Sequence, residues 1–131
     1  MPTPPLPAHL IQTLTKPNPA VMATVRPDGT PVSVATWYLW DDGRILLNMD
    51  AGRARLGHLR VNPRVSLTVL DDDSWYRHIS LQGTVTLQPD PDLVDIDRLA
   101  RHYTGKPYWN RERPRVTAWL EISSYHAWGF D

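Results

Sequence analysis

The chain contains no cysteine. Disulfides, zinc–thiolate centres and thiol catalysis are thereby excluded. Neither sign of charge is in excess, since 14 Lys+Arg balance 14 Asp+Glu. A net-neutral chain has no general attraction for nucleic acid or for an anionic membrane, so neither is expected as a partner. Long apolar runs are also missing, and no segment is long enough to cross a bilayer as a helix. The opening "MPTPPLPAHL" lacks the charged-then-apolar pattern of a secretory signal, which makes the cytoplasm the expected location. The five histidines show no metal-site spacing. H-E-x-x-H, P-loop, G-x-G-x-x-G and G-x-S-x-G patterns are all absent, so no metal is expected and no serine triad can be assembled.

What remains is a chain of 131 residues, 41% hydrophobic, which reads as one folded domain over 1–131 with a loose Pro-rich arm at 1–6. Proline is frequent, at 13, and falls at the start and between elements, as expected for many short strands with abrupt turns. Six tryptophans stand against one phenylalanine. They need large flat surfaces: core, subunit interface or a planar ligand.

The pattern predicts a short helix over 8–16, then strands over 20–26, 30–40 and 44–50 joined by the turn signals "PDG" and "DDG". A helix follows to about Asn62, stopped by Pro63, and then a strand over 64–70. The run 75–88 alternates cleanly, with Trp75, Ile79, Leu81, Val85 and Leu87 on one face and Gly83 marking a bend or bulge. A helix over 90–105, an irregular connection over 106–114, a strand over 115–122 and a tail "SSYHAWGFD" complete the chain. Hairpins dominate this order, so the fold class is mainly β with short helices, an antiparallel sheet closing into a small barrel.

The stretch "DAGRARLGHLRVNPRV" places Arg53 and Arg55 in the first turn of its helix. That end carries partial positive charge and ordinarily prefers Asp or Glu. Two readings stand. An anion such as a phosphate would accept the free N–H groups and neutralise both guanidiniums. Alternatively the two arginines are solvated, at a cost of a few tenths of a kcal/mol or about that. Arg77 poses a related question, because it falls in the apolar phase of its strand. A ligand anion, Asp71 or Asp73 would satisfy it, but an irregular register that carries it to the rim is the favoured expectation. His78 and Tyr76 are weak candidates for proton donors, and no catalytic residue stands out.

Three pieces of this chain, in order and spacing, resemble a known family: "ATVRPDGTPVSVATWY", "GRARLGHLRVNPRVSL" and "HISLQGTVTL". They are similar to the pyridoxamine 5′-phosphate oxidase-like split β-barrels, an FMN-binding-like fold, and in particular to the branch that uses coenzyme F420. The resemblance implies an oxidoreductase that transfers a hydride between reduced F420, a deazaflavin, and a small organic acceptor. FMN is the alternative cofactor. A non-catalytic flavin- or tetrapyrrole-binding protein is the alternative function. The resemblance further implies a homodimer with the cofactor at the subunit interface. Arg53 and Arg55 would hold its phosphate, and Ser33, Val34, Ala35 and Thr36 would lie along the ring system. Asn48, Met49 and Asp50 would stand beside the ring, and Trp75, with Tyr125 and Trp128, would close the pocket.

Overall fold

The computed structural model describes residues 2–130; Met1 and Asp131, the ends of the expected arm and tail, lie outside the described residues. Seven strands form one sheet with every pairing antiparallel: β1 (Ala20–Val25), β2 (Pro31–Thr36), β3 (Leu39–Asp41), β4 (Arg44–Asp50), β5 (Arg64–Leu70), β6 (His78–Pro89) and β7 (Arg115–Trp128). Three helices join them: α1 (Ala8–Leu14), α2 (Ala54–Val61) and α3 (Val94–Thr104). The strand order β2-β1-β5-β6-β7-β4-β3 leaves β2 and β3 as edges. Among the described residues no helix is long and apolar enough to cross a membrane.

The inner face collects Met22 of β1, Ile45, Leu47 and Met49 of β4, Leu67 of β5, Leu81 of β6 and Leu120 of β7 into one core. Leu10 and Leu14 of α1 and Leu56 and Leu59 of α2 plug it. A second apolar cluster lies on the other side of β4, where Leu46 meets Ile96 and Leu99 of α3. β4 is therefore covered on both faces, and Ile45 through Met49 are all buried. This placement puts a polar residue, Asn48, beneath α3.

Four expectations need correction. The predicted strand over 30–40 is interrupted at Trp37 and Tyr38, giving β2 and β3. Tyr38 is fully buried at this break, its single hydroxyl proton shared between Leu14 O (2.9 Å) and Lys16 O (3.1 Å). The predicted tail is instead the second half of β7. Gln82 pairs with Ser124 and Gly83 with Ile122, so Ser123 is an extra residue. Before it Val116, Ala118 and Leu120 pack into the core, and after it Tyr125 and Ala127 do. The phase of alternation reverses, and a period-2 pattern does not read across the reversal. Third, the run predicted from Trp75 starts only at His78, because residues 75–77 belong to a turn. Arg77 accordingly leaves the apolar face and donates from Nε to Asp71 Oδ2 at 3.0 Å. The Pro-rich start is held more closely than a loose arm: Leu6 is buried, and Pro2 O accepts a hydrogen bond from Tyr125 N.

Candidate functional site

Arg53 caps α2 from an extended conformation, and Arg55 is the second residue of the helix. The helical twist separates their fates. Arg53 is exposed, whereas the Arg55 side chain turns inward, and its Nε and Nη1 are buried with no acceptor among the described residues. Burial first, then the charges of Arg53 and Arg115, lower the Arg55 pKa from its ordinary value. A buried guanidinium without a partner is costly, and an anion that accepts both donors removes the cost.

Arg55 faces a cavity of about 670 Å³ between the β2 margin, α2 and α3. Ala35, Thr36 and Trp37 line it from the β2 margin, and Ile96, Leu99 and Tyr103 line it from α3. Trp37 stacks on Tyr103 at 5.3 Å and meets the edge of Tyr108 at 6.3 Å. Asn48 and Arg115 also reach it, and among the described residues Asp72 is the one acidic member of the lining. The lining thus combines an excess of positive charge with flat apolar surface. Such a set suits a ligand that is planar over most of its length and anionic at one end. Burial pushes the Tyr103 pKa up to about 12, so its hydroxyl keeps its proton at neutral pH and donates it to Asn18 O at 2.6 Å.

The expected site residues separate into two groups. Ala35, Thr36, Asn48 and Arg55 come together in the cavity lining. Ser33 and Val34 lie further along the exposed edge strand β2. Met49 points into the barrel core, 1% exposed. Asp50 is engaged by Arg113, whose Nη2 lies 3.1 Å from Oδ1, and the pair holds the Asp50 carboxyl at about 2. Trp75 is 70% exposed and packs edge-on against Tyr76, while Tyr125 packs on the core and Trp128 is exposed. His78 is occupied with Tyr76 O through Nδ1 (3.2 Å). Sequence reasoning missed Tyr103, Tyr108 and Arg115. Tyr103 sits on a helix that reads as ordinary amphipathic packing, while Tyr108 lies within an irregular connection without a motif and Arg115 follows it. Their only signal is that "YTGKPYWNRERPR" is dense in aromatics and arginine.

An antiparallel barrel, open between two edge strands and carrying an arginine-bearing, aromatic-walled cavity beside one of them, has the architecture of a split barrel. The family model described as Pyridoxamine 5'-phosphate oxidase matches residues 6–129, and the chain belongs to that family. Among solved structures it is similar to a protein called F420 Reductase, with 29% identity, TM-score 0.83, and coverage of 92% of this chain and 98% of that one. It is also similar to a conserved hypothetical protein from Mycobacterium tuberculosis, with 25% identity, TM-score 0.76, and coverage of 96% and 86%. The General Stress Protein 26 of Bacillus anthracis shares the fold at 17% identity and TM-score 0.69, covering 90% and 89%.

Proposed function

We propose that this chain is a cytoplasmic oxidoreductase that uses coenzyme F420, with FMN as the alternative cofactor of the same site. The observation that carries the reading is Arg55, whose buried, unpartnered Nε and Nη1 face a cavity of ring-accommodating size. Both cofactors bear a phosphate, and both fit that donor pair. The likeness to an F420 Reductase over 92% of the chain favours F420. The bound cofactor supplies hydride transfer to a small organic acceptor, and the protein supplies position, charge and shelter.

Each protein contribution follows from the fold. Arg55 and the free N–H groups in the first turn of α2 hold the phosphate. β2 pairs only with β1, so at Ala35 and Thr36 alternate backbone groups point away from the ladder toward the cavity margin. They are suited to hydrogen bonds with the polar edge of a ring system. Trp37, Tyr103 and Tyr108 wall the ring from bulk water. Among the described residues the lining holds no histidine, and the Tyr103 hydroxyl is committed to Asn18 O, so solvent is the proton source in this reading.

The proposal includes a homodimer with the cofactor at the interface. Trp109 supports it: this indole follows Tyr108 at the cavity margin and is 79% exposed, which suits a residue covered by a second surface. Light scattering should give a mass near twice the 15.0 kDa chain, and a monomer at micromolar concentration would remove this part of the reading. For the cofactor site, Arg55→Ala should weaken F420 binding about tenfold to a hundredfold, the range for losing charge-assisted hydrogen bonds. Unchanged affinity in a fluorescence titration would remove Arg55 from the site.

A further inference from the structure

The turn between β5 and β6 carries three consecutive carboxylates, Asp71, Asp72 and Asp73. Two cations answer them. Lys16 Nζ lies 2.7 Å from Asp71 Oδ1 and 3.5 Å from Asp73 Oδ2, and Arg77 Nε lies 3.0 Å from Asp71 Oδ2. Neither reaches Asp72, which among the described residues forms no salt bridge. Its backbone is nevertheless fixed, since its amide donates to Asn18 Oδ1 at 3.0 Å. Asn18 is fully buried, and its Nδ2 donates to Thr13 O (2.7 Å) and to Tyr38 Oη (2.9 Å). The carbonyl of the same Asn18 accepts from Tyr103. One buried residue therefore ties the Asp72 backbone to the aromatic wall of the cavity. Asp72 is exposed and still lines that cavity, with Pro17 and Pro19, so it stands at the solvent margin.

A carboxylate beside aromatic faces attracts an organic cation twice, by charge and through the ring quadrupoles. Neither F420 nor FMN carries a cationic group, so neither answers Asp72. The lining also holds no histidine, and the Tyr103 proton is committed to Asn18 O. A cationic ring suits such a lining, because the hydride itself neutralises it. We propose that Asp72 is a specificity-determining residue that draws a small, planar, electron-poor organic cation to the cavity margin as the hydride acceptor. In that reaction a C–H bond of the reduced deazaflavin breaks and a C–H bond forms on the acceptor ring. The electron pair travels with the hydride, the acceptor takes up no proton, and the N–H proton of the oxidised donor goes to water. The acceptor role rests on the preceding reading; the preference for a cation does not.

N-methylacridinium and acridine, rings of nearly equal shape that differ in charge, are the probes. Calorimetric titration at mildly alkaline pH, where acridine is uncharged, should be run with and without F420. At low ionic strength the wild type should bind N-methylacridinium about fivefold more tightly than acridine, the upper range for one exposed charge pair, and salt should erode the preference. Asp72→Asn should equalise the two probes and leave acridine binding unchanged. Asp73→Asn removes the same charge from the same turn and should keep the preference. Turnover of reduced F420 with N-methylacridinium should slow about fivefold in Asp72→Asn. Equal binding of both probes by the wild type, an unchanged preference in Asp72→Asn, or equal losses in Asp72→Asn and Asp73→Asn would overturn the cation subsite. Those results in a protein that binds F420 leave the proposed function standing. An Asp72-dependent preference in a protein that binds neither F420 nor FMN keeps the subsite and overturns both the acceptor role and the proposed function.

Discussion

Asp71 accepts from Lys16 Nζ at 2.7 Å and from Arg77 Nε at 3.0 Å while only 5% exposed. Burial works against its ionisation, but the bonds from Lys16, the Asp73 backbone and Arg77 outweigh it and hold the carboxyl at about 2. Because the folded value lies below the unfolded one, the stabilisation is complete above about pH 4 and is lost as pH falls toward 2. The shift corresponds to about 2 kcal/mol. Asp71→Asn should therefore cost about that much at pH 7 and little near pH 2, as urea unfolding at several pH values would show. An equal loss at both ends of the range would rule out the ion pair as the cause. The sequence placed Asp71 among the partners open to Arg77, but not Lys16, which lies 55 positions away. The same distance problem hid Arg115. Its neighbour Asn48 is 67 positions off, and only the β4–β7 ladder makes them meet. Arg55 was legible for the opposite reason, since a cation in the first turn of a helix contradicts a local rule and so draws notice by itself.

The hairpins were readable because their turns carry local chemistry. Asp42 and Gly43 both adopt positive φ, at 47° and 90°, as the "DDG" signal between β3 and β4 suggests. α3 was readable too, with Asp95 and Asp97 in its first turn, and with Arg101 and His102 in its last before Gly105. β7 was not, because its continuation depends on one extra residue opposite Gly83. A Cβ on Gly83 would overlap the carbonyl oxygen of Glu121, so glycine is what lets β6 and β7 approach at the bulge. Gly83→Ala should destabilise the protein by about 3 kcal/mol through forced separation of these strands, seen as a lower urea midpoint. A midpoint within error of the wild type would show that the bulge tolerates a side chain and that another feature sets the register.

At the scale of the molecule, a seven-stranded sheet with two unpaired edges creates the cavity rather than merely carrying it. The β2 edge supplies free backbone, α2 delivers Arg55, α3 supplies the aromatic wall and β7 delivers Arg115. Four elements remote in sequence converge, which is why a linear reading finds the fold, Arg55 and, through the family resemblance, Ala35, Thr36 and Asn48, but not Tyr103, Tyr108 or Arg115. Membership of the pyridoxamine 5′-phosphate oxidase family agrees with this architecture over residues 6–129. The central claim is that the cavity holds a phosphate-bearing ring cofactor, F420 in preference to FMN. Equilibrium titration of the wild-type protein with each cofactor, followed by cofactor fluorescence, tests it most directly. Saturable binding of F420, tighter than that of FMN, is the predicted result, whereas absence of binding by both would contradict the account.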